Sequence, residues 1–258
     1  MKGLTKWIEC LSLDAVIVAV LWGMAMGMRD LAELVVLALA TWLTYVADRL
    51  RDVAPSRGAL MTDRHVYYRD HYKGFVVSWI CGFVGVIVLA LLALPLWKIG
   101  WGLVLVGLIL FYLWALRQIE RPGSRLLFKR TAVPLIFAAG VCWMAEGWRS
   151  HAGIYLTILL FAGALVNVLL ISYWENRYKN PPKWLPHMLG AGIVGMFCLS
   201  QFGLLYFTAS GIGGLVTVFS YFIILLLVQA EKASNVRAWT DLALAAGAVF
   251  ILVIEILS

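Results

Sequence analysis

Long apolar runs separated by short charged connections constrain this chain more than any other feature. Nine runs of about 20 residues can be traced, each long enough to cross the hydrocarbon core of a bilayer as a helix. Backbone polar groups find no water in that core, so a spanning segment satisfies them internally as a helix. The sequence therefore predicts an all-α, polytopic membrane protein that forms a single domain over residues 1–258. The predicted spans are 8–28, 31–50, 74–94, 97–117, 130–147, 153–173, 185–207, 210–230 and 236–257.

The composition indicates that a bilayer, rather than water, surrounds most of the chain. Hydrophobic residues make up 63% of the sequence and charged residues 14%, whereas a soluble domain carries roughly 25% charged residues. A net charge of +7 can indicate nucleic-acid binding in a soluble protein. Here the cations lie in short connections, so membrane orientation and anionic lipid headgroups explain the charge, and no nucleic-acid partner is expected.

The distribution of the cations predicts how the chain is oriented. Eighteen of the 21 Lys and Arg residues fall at the N-terminus and in every second connection, and the other three are Arg29, Lys98 and Arg149. Cytoplasmic loops are the ones that retain Lys and Arg. We therefore expect a cytoplasmic N-terminus, cytoplasmic basic loops and, most simply, a place in the cell membrane.

A charged motif, Asp48-Arg-Leu-Arg-Asp52, ends the second apolar run. Residues four apart on a helix lie on one face, about 6 Å from each other, so both carboxylates can point the same way. Magnesium held by one or two carboxylates and by substrate phosphate oxygens is the usual arrangement in diphosphate chemistry. The alternative is a solvated helix end whose acids pair with Arg49 or Arg51.

Two basic segments follow this motif along the chain. Residues 64–72 place Arg64 and Arg69 among tyrosines and histidines, a pattern that suits either a phosphate-binding cap or a segment on the membrane surface. Residues 121–130 contain Arg125 and Lys129, and the only acid close by that could balance these charges is Glu120. For this second segment, phosphate binding and the general bias of cytoplasmic loops both remain open.

The sixth run contains Asn167 and ends at Glu175, with Lys179 four residues later. Glu175 places another carboxylate at the end of the bundle expected to carry Asp48. An amide within the membrane needs a partner, so Asn167 either lines a cavity or joins two helices. Asp241, early in the ninth run, is a further intramembrane acid, for which we expect a structural partner.

Together these features resemble the UbiA superfamily of intramembrane prenyltransferases. The shared features are nine helices, a cytoplasmic N-terminus, an acidic motif ending the second helix, a basic cap, a lysine opening the fifth helix and an acid ending the sixth. The resemblance covers most of the chain. It implies a helical bundle around a central cavity that binds a prenyl diphosphate through magnesium held by two aspartate-rich motifs.

Matching the two family motifs assigns roles to particular acids. Against the first motif, NDxxDxxxD, the chain reads Thr44-Tyr45-Val-Ala-Asp48-Arg-Leu-Arg-Asp52, and keeps its last two aspartates. Against the DxxxD that ends the second motif, the chain has Glu175 and Lys179. The resemblance then implies that catalysis and magnesium binding fall to Asp48, Asp52 and Glu175.

The resemblance also implies the side chains that surround the substrate. The diphosphate is expected to contact the cations Lys129, Arg64, Arg69, Arg125 and Lys179. The cavity is expected to be lined by Tyr45 and Asn167.

The implied activity is magnesium-dependent transfer of a prenyl group from its diphosphate to a lipophilic or aromatic acceptor. The same superfamily contains terpene cyclases, which act on the prenyl diphosphate alone, and this is the second reading. A non-catalytic transporter or lipid-binding scaffold is a third reading from a different class. Transporters use broken helices, and Gly211, Gly213 and Gly214 offer a place to break the eighth run.

Overall fold

The computed structural model describes residues 11–53, 63–145, 149–176, 184–206, 208–229 and 236–257. In that part of the chain the only regular secondary structure is helical, which confirms the predicted fold class. The ten helices are α1 (Leu13–Ala25), α2 (Leu31–Asp52), α3 (Asp63–Asp70), α4 (Tyr72–Ala93), α5 (Leu96–Gln118), α6 (Pro122–Met144), α7 (His151–Asn176), α8 (Trp184–Tyr206), α9 (Thr208–Gln229) and α10 (Val236–Leu257).

Seven of these helices are long and apolar enough to cross a membrane: α2, α4, α5, α6, α7, α8 and α10. The chain is therefore an integral, multi-pass membrane protein, as its apolar runs predict. Two further apolar stretches, Leu13–Ala25 and Ile212–Leu225, are shorter in the described part of the chain. A total of nine crossings, and the direction in which they run, stay predictions.

Local sequence signals determine where the helices begin and end. Gly27 reverses the chain after α1 at φ +93, a conformation that side chains disfavour. Asp30 caps α2, because its Oδ1 accepts hydrogen bonds from the amides of Ala32 at 2.7 Å and Glu33 at 3.1 Å. Pro95 precedes α5 and separates it from α4 by a short extended connection.

Helix α6 begins eight residues earlier than the predicted span at 130–147. Its first residue is Pro122, and proline suits this position because its fixed φ matches a helix while its missing N–H costs nothing there. The predicted loop boundary is therefore wrong. Arg125 and Lys129 lie one turn apart on a helix, which gives them a common face and a fixed direction.

Helix α9 continues without interruption through Gly211, Gly213 and Gly214, where the transporter hypothesis expects a break. These glycines permit close packing instead. A methyl group on Gly213 would lie 2.6 Å from the carbonyl oxygen of Gly247, and one on Gly214 would lie 2.5 Å from Ser200 Oγ. Small residues thus bring α8, α9 and α10 together, as is common between helices in membranes.

The helices from α6 onward, together with α1, form the tightly packed part of the bundle. Helix α7 packs against α6, α8, α9 and α10. Helix α1 lies between α2 and α10, and the buried Trp22 donates from Nε1 to the carbonyl oxygen of Leu244 at 3.0 Å. The first and last helices of the described chain are thereby joined.

The hairpin formed by α4 and α5 is packed much more sparsely. Helix α4 lies against α2, where Trp79 Nε1 donates to the Leu43 carbonyl oxygen at 2.8 Å, and α5 lies against α6. The two helices barely touch each other, and most of their large apolar side chains are exposed on the protein surface. A bilayer solvates such a surface without cost. The predicted central cavity remains a prediction.

Candidate functional site

The carboxylate of Asp48 lies between two cations at the end of α2. Arg51 Nη2 donates to Asp48 Oδ1 at 2.5 Å, and Lys129 Nζ of α6 donates to Asp48 Oδ2 at 2.9 Å. The side chains of Asp48 and Lys129 are 30% and 35% exposed. We call these three residues the Asp48 cluster. It joins α2 to α6 and is open enough to be reached by a ligand.

Helix geometry explains how the cluster forms. Arg51 is three residues after Asp48, so the two side chains meet on one face of α2. Lys129 follows Arg125 by one turn on α6, and Arg130 beside it is buried. Cations near the start of a helix oppose its dipole, whereas an anion there is favoured. Lys129 is the eighth residue of α6, so its own charge rather than the helix dipole sets the electrostatics at Asp48.

A buried polar network next to the Asp48 cluster was not predicted from the sequence. Arg49 Nε donates to Ser12 Oγ at 2.7 Å, and that hydroxyl lies 3.1 Å from Tyr68 Oη. The Tyr68 ring stacks on Phe75 with 4.0 Å between ring centroids. Of the two arginines proposed as alternative partners for the acids, Arg51 binds Asp48, while Arg49 links α1, α2 and α3. This network holds α3 beside the end of α2.

The structure brings some of the predicted site residues to this end of α2. Lys129 contacts Asp48 directly, and the half-buried Arg125 is one turn away on the same helix. Tyr45 is half-buried on α2, just under one turn before Asp48. Arg69 lies at the surface of α3, where its Nε donates to Asp70 Oδ1 at 3.2 Å.

Four of the predicted side chains, those of Asp52, Arg64, Glu175 and Lys179, lie outside the described residues.

Asn167 makes a contact between helices. Its Nδ2 donates to Asp241 Oδ1 at 2.6 Å, and the residue is 7% exposed. The contact joins α7 to α10, as expected of an amide that connects two membrane helices. Asp241 thereby has a hydrogen-bond partner on α7. A cavity-lining role for Asn167 stays a prediction.

The described residues supply only part of a magnesium site. Magnesium prefers six oxygen ligands in octahedral geometry and usually takes one or two carboxylates from the protein. Among the described side chains, no group of three or more His, Cys, Asp or Glu residues could hold a metal. Asp48 fits as one ligand, but both of its oxygens already accept hydrogen bonds from cations. The metal site is therefore incomplete in this part of the chain.

Comparisons of the chain with protein-family models, with curated proteins and with solved structures find no match. The resemblance to the UbiA superfamily rests on the motif residues and on the order of the helices. Membership of that superfamily stays a prediction.

Proposed function

We propose that this protein is an intramembrane enzyme of the UbiA type, which transfers the prenyl group of a prenyl diphosphate to a lipophilic or aromatic acceptor. The observation that supports this most is the hydrogen bond from Lys129 to Asp48, which joins two residues 81 positions apart in the sequence. The resemblance assigns Lys129 to the diphosphate and Asp48 to the first acidic motif, two roles that require proximity.

The surroundings of the Asp48 cluster suit an amphiphilic substrate. Arginine and lysine side chains at the helix ends can hold phosphate oxygens through charge-assisted hydrogen bonds. The adjoining helices α2, α4 and α5 are apolar along most of their length, so an isoprenoid chain can lie among them without a desolvation cost. A charged headgroup at the Asp48 cluster and a long apolar tail along these helices would each have a matching environment.

Magnesium belongs to this proposal as the resemblance implies. Asp48, with Asp52 and Glu175, would hold it, and bound magnesium stabilises negative charge on a diphosphate leaving group. Lys129 and Arg51 would orient the phosphate oxygens. The carbon–oxygen bond of the substrate breaks with its electron pair on the diphosphate, and the acceptor then forms the new bond to carbon and releases a proton.

Cyclisation of the same substrate is the closest alternative, because it needs the same headgroup site and differs only in what captures the allylic carbon. The transporter reading is less well supported. Helix α9 is continuous where that reading expects a break.

The experiment that tests the proposal is pyrophosphate release by the purified protein. Geranyl, farnesyl and geranylgeranyl diphosphates are supplied with magnesium, with and without lipophilic acceptors, and organic extracts are examined for products. Release that depends on an acceptor supports transfer, whereas release without an acceptor and with a cyclic product supports cyclisation. Absence of both release and binding for all three substrates rejects the enzyme.

A pair of variants connects that activity to the site. Asp48→Ala should abolish turnover while the protein still folds in detergent, because it removes the carboxylate of the cluster. Glu255→Ala is the matched control, since it removes an exposed carboxylate on α10 that the proposal does not use. Turnover by Asp48→Ala as fast as that of the control variant contradicts the assignment of Asp48.

A further inference from the structure

We propose that Arg49 binds the phosphate of an anionic phospholipid where α1, α2 and α3 meet. The inference goes beyond the proposed function and does not depend on it. The chemistry recognised is a phosphate oxyanion, and its source is the headgroup layer of the surrounding membrane. The bound headgroup supplies the negative charge that the described residues around Arg49 do not supply by direct contact.

The first argument is that Arg49 is a buried cation. It is 6% exposed, its Nε donates to Ser12 Oγ at 2.7 Å, and its Cζ lies 5.9 Å from the centroid of the Tyr68 ring. A hydroxyl and a ring face orient a guanidinium without neutralising it. An arginine also does not lose its proton in a protein. Burial therefore leaves Arg49 charged.

The second argument is a comparison with Lys98, a lysine that is 2% exposed. Lys98 forms an ion pair with the carboxylate of Glu33. In the described part of the chain no carboxylate forms an ion pair with Arg49, and both oxygens of the neighbouring Asp48 accept from other cations. A buried charge that lacks a counter-charge is strongly unfavourable. An external anion removes this cost.

The third argument concerns the terminal nitrogens of Arg49. Among the described residues, no group accepts a hydrogen bond from Nη1 or Nη2, and neither nitrogen is fully enclosed. A guanidinium can donate two parallel hydrogen bonds to two oxygens of one phosphate. Because Ser12 holds Nε, the two terminal nitrogens have a fixed direction. The site is therefore built for an oxyanion that accepts two hydrogen bonds.

The depth of Arg49 indicates a lipid as the source of that oxyanion. The membrane-spanning stretch of α2 ends at Arg51, two residues later, so Arg49 lies near the boundary between hydrocarbon and headgroups. The buried side chains beside it are apolar and include Val46, Val53 and Phe75. A soluble anion must leave water to enter such a place, whereas a lipid phosphate already lies at this depth. Basic pockets between membrane helices bind lipid headgroups in this way.

The headgroup also stabilises the position of α3. Tyr68 belongs to α3, and its Oη lies 3.1 Å from Ser12 Oγ, which accepts from Arg49. A phosphate that fixes the guanidinium thus fixes the contacts that hold α3 beside the end of α2. Amide hydrogen exchange across α3 should be slower in anionic than in zwitterionic bilayers. Exchange that is equal in the two bilayers contradicts this effect.

The test is binding of phosphatidylglycerol to the full-length protein, measured by native mass spectrometry from nanodiscs that also contain phosphatidylcholine. We expect one phosphatidylglycerol to bind about tenfold or more tightly than phosphatidylcholine, because charge-assisted hydrogen bonds favour the anionic headgroup. Equal binding of the two lipids overturns the inference. It leaves the proposed function intact, because that function does not involve Arg49.

Variants then locate the site. Arg49→Gln should remove most of the preference for phosphatidylglycerol, and Arg49→Lys should keep part of it, because a lysine retains the charge without the planar fork. Arg117→Gln is the matched control, since it removes an exposed arginine from the last turn of α5. The control should keep the full preference. An unchanged preference in Arg49→Gln, or an equal loss in the control, overturns the inference.

The unfolding temperature separates lipid binding from a folding defect. In phosphatidylcholine alone, Arg49→Gln should unfold at the same temperature as the original chain or at a higher one, because an uncompensated buried charge is removed. Added phosphatidylglycerol should raise the unfolding temperature of the original chain more than that of the variant. A variant that is less stable in phosphatidylcholine alone would show that Arg49 is neutralised within the protein, and would overturn the inference.

Inorganic phosphate distinguishes a lipid headgroup from a free anion. Millimolar phosphate should not displace phosphatidylglycerol, because it lacks the acyl chains that hold the headgroup at this depth. Displacement by phosphate would indicate a site for free anions and overturn the assignment to a lipid.

Asp52 is tested separately as a counter-ion of Arg49. It follows Arg49 by three residues, and its side chain lies outside the described residues. Asp52→Asn should leave the preference for phosphatidylglycerol unchanged or strengthen it, because it removes a negative charge near the headgroup. A preference that is absent in the original chain and present in Asp52→Asn would identify Asp52 as the partner of Arg49 and overturn the inference.

Discussion

Helix α2 carries an acid near each end, and each acid is paired with a lysine from a later helix. Near its start, Glu33 binds Lys98 of α5, whose side chain is 1% exposed. Near its end, Asp48 binds Lys129 of α6, whose side chain is 35% exposed. The two pairs have the same chemistry, and they differ in how much of each is accessible.

This difference separates a structural ion pair from a candidate site. Lys98 is enclosed, with the Trp97 ring centroid 5.4 Å from its Nζ, and Arg149 lies 5.5 Å from the same centroid. A charge buried this way is costly to leave without its partner, so the pair links α5 to α2. The open pair at Asp48 can exchange its contacts with a ligand. Accessibility, rather than residue type, distinguishes the Asp48 end as the candidate site.

Lys98→Met should have the largest effect on stability. It leaves Glu33 charged and partly buried, and we expect it to lower the free energy of unfolding by about 3–5 kcal/mol. Unfolding in mixed micelles, followed by circular dichroism, measures the change. A loss below about 1 kcal/mol would show that this pair behaves like an exposed one.

Ser12→Ala tests whether burial also determines the cost at the other end of α2. The buried Nε of Arg49 would lose its acceptor, which should cost about 1–3 kcal/mol in the same unfolding measurement. Ser12 has φ 58, so Ser12→Gly relieves backbone strain while removing the same hydroxyl. Glycine should therefore cost less than alanine. An unchanged free energy of unfolding for Ser12→Ala would show that the hydrogen bond from Arg49 to Ser12 does not stabilise this end of α2.

The double variant Glu33→Leu with Lys98→Met tests whether the ion pair has a purely structural role. Replacing both members of a buried pair by apolar residues is often neutral or stabilising. We expect the free energy of unfolding to return to within about 1 kcal/mol of the original chain. A double variant as unstable as Lys98→Met alone would show that the loss of stability does not come from leaving Glu33 without Lys98.

The smallest effect on stability is expected at the candidate site itself. Lys129→Met should lower the free energy of unfolding by about 1 kcal/mol or less, because ion pairs with this exposure contribute little. The same variant should lose most of its affinity for a prenyl diphosphate. Strong destabilisation without loss of affinity would reverse the two roles and make Lys129–Asp48 the structural pair.

The sequence alone determined the class of the protein and most of its helices. The predicted spans at 31–50, 74–94 and 97–117 differ from α2, α4 and α5 by at most two residues at either end. This accuracy has a physical cause. In a bilayer the backbone must form internal hydrogen bonds over a fixed thickness, so length and apolarity determine the element. The motif at Asp48 and Lys129 were also singled out from the sequence, and their functional roles stay predictions.

Only the tertiary structure decided which charges meet. Asp48 and Lys129 are 81 positions apart, and Glu33 and Lys98 are 65 apart, so no local pattern connects them. The start of α6 at Pro122 and the binding of Arg49 to Ser12 likewise depend on neighbouring helices. Hydropathy measures how each segment partitions between water and lipid. The burial of one ion pair and the openness of the other depend on how the helices pack, so only the tertiary structure shows that one end of α2 carries an enclosed ion pair and the other an accessible one.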